Sequence, residues 1–368
     1  MATRARFLYN NYITAESMLA VSSLRSGIVS SANKEGTGSA SITTSGNYSG
    51  TTDLEYVIRI DSLGTGEIGS STFKWSDDGG LTWDATGVFT SHTATLLNNG
   101  VYICWPLHGV GADFVMDDTW YFRGVNPFNP GKMINYDRDC RFRSGHLDAP
   151  NTVTISLGSA LEGQAIAILD HNFSSGATIT LEFDSSTAFT GGNYHVETIP
   201  WASGKILYYI GSSDATHTTA IRTRQYWRLN VTDAANPNGF IEIGELFLGT
   251  YLELSRNFIT GYKRDLNLIA EINKTPYGVG RSHFYNTQYM FSYEFRNLLE
   301  ADITSMNTLV SSTTSRTTGV RKFFYFNKDS ADVASFWPVI ISSLSVTNQD
   351  TYLYFSMALE MEEVLTSV

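Results

Sequence analysis

Three rings in one stretch, Tyr194, Trp201 and Tyr208 in GGNYHVETIPWASGKILYY, are the side chains of this sequence best suited to grip a small ligand. Sugar sites lay aromatic faces against pyranose rings and surround them with Asp, Asn and Arg, and an aromatic ring combines a large apolar face with a polar edge. The same three rings would serve as core or rim aromatics of a β-sandwich, and both readings stay open. Catalytic chemistry finds less. There is no G-x-S-x-G turn for a nucleophilic serine, and the seven histidines are scattered without H-x-x-x-H or H-E-x-x-H spacing. Asp170, His171 and Asn172 follow the apolar run AIAIL, where a strand end presents polar groups, and His171 reads as a structural histidine bonded to neighbouring backbone. Asp137 and Asp139 make a single D-x-D, too little for a calcium loop. No metal, cofactor or catalytic residue is expected, and the chain reads as a non-enzyme.

Two short motifs have bland readings. Gly64, Gly66 and Gly69 match G-x-G-x-x-G, but the strand-like SSTFKWS follows where a dinucleotide site needs a helix, so a glycine-rich hairpin loop is expected. Ser76, Asp78, Gly80, Thr82 and Trp83 form S-x-D-x-G-x-T-W, which resembles the Asp-box hairpin of sialidase propellers and other β proteins. Its work is structural: Asp78 accepts amides across the turn, Gly80 supplies positive φ, and Trp83 packs beneath.

Only 17% of the 368 residues are charged, against roughly 25% in average domains. The net charge of −11 excludes a phosphate-coating surface, so nucleic acid is not an expected partner. No apolar run is long enough for a membrane span, and MATRARFLYNNYITAES lacks the apolar core of a secretory signal. The chain is expected to stay where it is made or to leave inside a particle. Cys104 and Cys140 have no C-x-x-C spacing and read as free structural thiols.

The elements that must position these residues are mostly strands. EYVIRI, STFKW, GVYICW and WYFR, between Glu55 and Arg123, read as one small sandwich flanked by turn-rich loops. TVTISL, AIAILD, ATITLEF, YWRLNV and FIEIGELFL, between Thr152 and Leu248, read as a jelly roll. The opening ARFLYNNYITAESMLAVSS is too short to be a domain and is expected to pair with this later sandwich, making the module between them an insertion. From Ser282, Tyr285, Thr287, Tyr289, Phe291, Tyr293 and Phe295 alternate on one face of a long strand. Leu299, Ile303, Met306 and Val310 then share a helix face, stopped by the Ser/Thr run to Gly319. Lys322 to Phe326 and Thr351 to Leu359 complete an α+β region, with Leu353, Phe355, Met357 and Leu359 on one side.

RQYWRLNVTDAANPNGFIEIGELFLG (Arg224 to Gly249) resembles the closing strands of discoidin-like, galactose-binding-like jelly rolls in tail proteins of bacterial viruses. ITAESMLAVSS, CRFRSGHLDAPNTVTISLG and AILDHNFSSGATITLEF fit the same module, and the C-terminal strands and helix look like the tube-forming fold of such proteins. The resemblance implies a mainly β chain: a discoidin-like jelly roll from 1–45 plus 129–250, an inserted small β module at 46–128, and an α+β tail-tube-type assembly domain at 251–368. It further implies a structural component of the tail end, a distal tail or baseplate ring that joins the tube to receptor-binding parts. Such a protein is made in the host cytoplasm and ends in the virion. Its partners would be further copies of itself, in a hexameric ring or alternatively a trimer, other tail proteins, and host-surface glycan. Tyr285, Tyr289, Tyr293, Leu299, Ile303, Met306 and Val310 are the candidates for assembly contacts or, equally, for core. The alternatives are a carbohydrate-binding protein and a glycan-degrading tail enzyme.

Overall fold

The computed structural model describes residues 4–14, 17–22, 27–50, 52–106, 113–138, 141–147, 150–211, 218–259, 261–274, 280–313, 322–348 and 354–365. Cys140, Asp139, His108, His217, Leu353 and residues 314–319 of the expected helix stop lie outside them, as does the side chain of Tyr285, while residues 311–313 of that expected stop are still helical. The fold is mainly β, in several antiparallel sheets with a small helical region near the end. The chain divides into two compact units, Met1–Ser23 with Pro130–Val368, and Leu24–Asn129.

In the first unit a five-stranded sheet runs in the order His195–Ile199, Thr178–Asp184, Thr223–Thr232, Asn151–Glu162, Met18–Val21. It packs on part of a nine-stranded sheet in the order Lys205–Tyr209, Ala165–Leu169, Glu245–Glu253, Arg6–Asn11, Phe324–Asn327, Phe336–Asn348, Phe355–Glu363, Gly280–Leu298, Lys263–Lys274. Alternation along the strands builds the sandwich core: Ile155, Leu181, Phe183, Trp227 and Leu229 of the smaller sheet meet Ile166, Ile168, Tyr208, Leu246 and Leu248 of the larger. Trp227 is fully buried and stacks on Phe183 with ring centroids 4.9 Å apart.

The opening segment does two things. Met18–Val21 pairs with Asn151–Glu162, as expected, whereas Arg6–Asn11 lies between Glu245–Glu253 and Phe324–Asn327 and bonds to both. The residues from 251 onward therefore continue the sheet of the jelly roll, and no unit boundary falls at the expected position. Phe7 enters a core with Phe291, Phe295, Phe324, Phe326, Met357 and Leu359, its ring 5.1 Å from that of Phe326. Ala165, Ala167 and Leu169 point to yet another cluster with Leu8, Phe247, Tyr325 and Phe336, which is why AIAIL is buried on both faces.

The helix Glu300–Thr313 buries Asp302, Met306, Leu309 and Thr313. This corrects the expected stripe: Met306 is on the buried face and Ile303 packs against it, but Leu299 is 46% exposed and Leu309 takes the place expected for Val310. The cause is Asp302, which accepts from the Ser255 amide (2.9 Å) and hydroxyl (2.5 Å) and from the Leu299 amide (2.9 Å), fixing the first turn with a polar residue facing inward.

The second unit packs the sheet Ile28–Val29, Thr119–Val125, Leu54–Ser62, Thr72–Ser76, Ala85–Phe89 against Thr43–Gly46, Val101–Cys104, Thr95–Leu96. Its core is aromatic, with Trp105, Phe114 and Trp120 meeting edge to face. The unit opens at Leu24 where 46 was expected, because Ile28–Val29, Asn33–Glu35 and Thr43–Gly46 are short strands hidden in a turn-rich sequence.

Candidate functional site

The three sequence-selected rings do not converge. Tyr208 is 6% exposed and belongs to the sandwich core. Tyr194 lies by the smaller sheet, its hydroxyl donating to Glu182 Oε1 at 3.0 Å. Arg228 bonds the same carboxylate and stacks over Phe189 at 4.2 Å, so Tyr194, Glu182 and Arg228 form one half-buried aromatic and charged patch. Burial and the bond to Glu182 raise the Tyr194 hydroxyl above its ordinary pKa. Trp201 is the one of the three with an open face. It is 37% exposed, and its indole N–H is held by the Phe173 carbonyl at 3.0 Å, which fixes the plane of the ring.

Trp201 borders a cleft of about 530 Å³ lined mainly by apolar atoms. Pro200, Ala202 and Ser203 form one lip and Val333 and Ala334 the other, and the floor is the strand Lys205–Tyr209. Lys205 closes one end with its ammonium on the Phe336 carbonyl, near the faces of Phe336 and Trp337. Burial lowers its pKa, partly offset by Glu363.

Deeper in the same unit is a cluster of ionisable groups that sequence reading did not find. Glu245 is fully buried; its Oε2 accepts from the Tyr136 amide at 3.2 Å, and among the described residues Oε1 has no partner. Burial raises its carboxyl well above the usual range. The Tyr325 hydroxyl is buried and, among the described residues, without a partner as well. Arg138 grips Asp170 through two bonds of 2.7 and 2.8 Å, with Asp170 at φ 53°. The sequence signal was present as the acid in IEIGELFL, but nothing in the pattern distinguished a buried Glu from a surface one.

His171 is structural, as expected: its Nδ1 accepts from the Phe173 amide at 3.2 Å, its ring stacks on Phe173, and burial lowers its pKa to about 4. Asn172 bonds the Phe240 carbonyl and the Glu242 amide. Among the described residues no group of three or more His, Cys, Asp or Glu is placed to hold a metal ion.

The S-x-D-x-G-x-T-W segment forms a tight turn. Ser76 Oγ donates to Asp78 and accepts from the Gly80 amide, and the Asp78 carboxylate accepts from the Thr82 amide and hydroxyl. These bonds hold the Asp78 carboxyl well below the usual carboxylate range. Gly80 has φ 88°. Trp83 departs from expectation: it is not in the core but half-buried, with Lys74 Nζ 4.2 Å from its ring and Arg59 at 5.5 Å. Trp75 takes the core position instead.

Of the assembly candidates, Tyr293 is 1% exposed and Tyr289 packs against the same core, so both support the chain's own interior. The exposed apolar groups lie one strand further out. Lys263–Lys274 ends the sheet, and its residues 263–269 are all exposed, with Leu266 at 52% and Leu268 at 62%.

No protein-family profile matches this chain, and no curated protein matches it. Among solved structures it is similar to chitosan-binding module 1 of a Paenibacillus chitosanase/glucanase, with 14% identity and a TM-score of 0.26 over 34% of this chain and 86% of the module. A Streptococcus pneumoniae fucose binding module is similar at 13% identity and a TM-score of 0.24, over 34% of this chain and 84% of that one. A Ruminococcus gnavus fucosidase of family GH29 is similar at 14% identity and a TM-score of 0.24, over 34% of this chain and 23% of the fucosidase. At these identities and TM-scores the likeness carries no ligand over to this chain.

Proposed function

We propose that this chain is a structural subunit of the tail end of a bacterial virus, built from several copies into a ring that links the tail tube to receptor-binding parts. The observation that carries the assembly reading is the strand Lys263–Lys274. It ends a nine-stranded sheet, and alternate residues from 263 to 269 are exposed alike, so neither of its faces is covered there. Leucines at 52% and 62% exposure on such an edge suit a neighbouring subunit. The tail-end context rests on the resemblance of Arg224 to Gly249, and the low charge fraction agrees with surface destined for partners.

A second reading, carbohydrate binding, is favoured by the patch of Tyr194, Glu182 and Arg228, where a ring stands beside an acid and a guanidinium that could bond sugar hydroxyls. One set of measurements separates the two. Light scattering and negative-stain images of the purified protein should show rings, six copies expected and three the alternative, with Leu268→Lys weakening assembly roughly tenfold or more. A strict monomer that binds oligosaccharide, with binding lost in Tyr194→Ala, would establish the second reading against the first.

A further inference from the structure

The opposite edge of the nine-stranded sheet is the strand Lys205–Tyr209, which among the described residues pairs only with Ala165–Leu169. Its phase is fixed by the Ile210 amide, which donates to the Gln164 carbonyl at 3.0 Å. In an antiparallel pair the residues that exchange bonds alternate along the strand. Ile206 and Tyr208 therefore bond to the neighbour, while the amides and carbonyls of Lys205, Leu207 and Tyr209 point outward. Among the described residues nothing bonds the backbone of Leu207 or Tyr209.

The cleft lies against this edge. It touches Lys205, Ile206, Leu207, Tyr208 and Tyr209 in succession. Consecutive side chains of a strand go to opposite faces, and here Ile206 and Tyr208 enter one core while Leu207 and Tyr209 enter another. A cavity that reaches all five residues lies along the edge, with Ile206 to Tyr209 themselves only 2 to 6% exposed. The pairing runs from Lys205 to Tyr209 with no proline and no bulge, two of the devices that keep another strand off a sheet edge.

We propose that this edge is a docking groove for an extended segment of a partner polypeptide, which adds to the sheet as one more strand. Outward N–H and C=O groups recur at every second residue, a repeat of about 6.8 Å, which another extended backbone matches bond for bond. Three outward positions at this repeat span about 14 Å, so an extended segment of about five residues pairs with all of them. Trp201 and Val333, 37% and 42% exposed, give alternate side chains of the incoming segment an apolar lip on each side. The groove is independent of the ring reading, because the hairpin strand Lys263–Lys274 is at the far edge of the sheet.

The test is residue-resolved amide hydrogen exchange on the full chain. The probe is a pool of end-blocked hexapeptides alternating apolar residues with threonine; the controls are the same pool N-methylated at alternate amides, and chitohexaose. The peptide pool should slow exchange at Leu207 and Tyr209 by about tenfold or more, the N-methylated pool should not, and Leu207→Pro should abolish the effect at Tyr209. Proline at 207 removes an outward amide and no bond to the neighbouring strand. If that variant fails to fold, the N-methylated pool still decides the matter. No protection by the peptide pool overturns the groove, as does equal protection by both pools, which would mean docking by side chains alone. Protection by chitohexaose instead of peptide would make the cleft a sugar site.

Discussion

His171 and Glu245 are both buried and both hold the uncharged form, with opposite consequences for pH. His171 is lowered to about 4 by burial, so the unfolded chain takes up a proton near pH 6.5 that the folded one refuses. Its share of stability is complete above that range and is lost as pH falls toward 4, on the order of 3 kcal/mol in all. Glu245 is raised, so the folded chain keeps a proton that the unfolded one releases. Its contribution is present in acid and is lost as pH rises through the folded pKa. Urea midpoints across pH should therefore lose part of their acid-side decline in His171→Gln and part of their alkaline-side decline in Glu245→Gln. Profiles of both variants parallel to the parent would show that neither group is titrating. The residue types were legible in the sequence but the phase of the strand was not. Tyr208 and Tyr209 are adjacent and identical, yet they fill different cores, and only the pairing partner decides which ring goes where.

Long strands were easier to read than short ones. Phe291, Tyr293 and Phe295, and Phe355, Met357 and Leu359, alternate as their spacing predicts, because a half-buried strand must place every second residue in the core. Ile28–Val29 and Asn33–Glu35 were hidden, since two or three paired residues leave no period to detect. The motif IEIGELFLG was recognisable before its reason was. A Cβ on Gly249 would stand 2.1 Å from the Asn10 carbonyl oxygen, and one on Gly244 2.7 Å from Asp170 Cβ. The first contact is with backbone, in the strand pair Arg6–Asn11 and Glu245–Glu253, and has no flexible side chain to yield. Gly249→Ala should accordingly destabilise the first unit by about 2 kcal/mol or more, read as a fall in the urea midpoint. Gly192→Ala, at a position where a Cβ meets nothing within 4 Å, serves as the control. Equal midpoints for the two variants would remove close approach as the reason for the glycine.

The unit Leu24–Asn129 enters and leaves through neighbouring strands, Ile28 opposite Val125 and Val29 opposite Gly124. An insertion whose two ends are adjacent needs only a short gap in its host, and its aromatic core closes on itself. Replacing 27–126 by a short Gly/Ser linker should leave the remaining unit folded, with its thermal midpoint within a few degrees of the parent. Loss of cooperative unfolding in that variant would show that the host depends on the insert. Reading the sequence located this interruption from the shortness of the opening segment. It did not show that jelly roll and C-terminal strands share a sheet, since hydrogen bonding between distant strands leaves no local pattern.

The placing of Arg6–Asn11 sets an order of events during synthesis. One flank of that strand is Glu245–Glu253 and the other is Phe324–Asn327, so its last neighbour is translated more than three hundred residues after it. At about 5 to 20 residues per second, this corresponds to a wait of roughly 15 to 60 s before both flanks of the strand can be covered. The insert has all its strands within Leu24–Asn129 and can close while the ribosome is still far from the end. The nascent chain thus carries a finished module next to an incompletely covered strand holding Phe7 and Leu8, the segment most in need of a chaperone until the final sheet assembles.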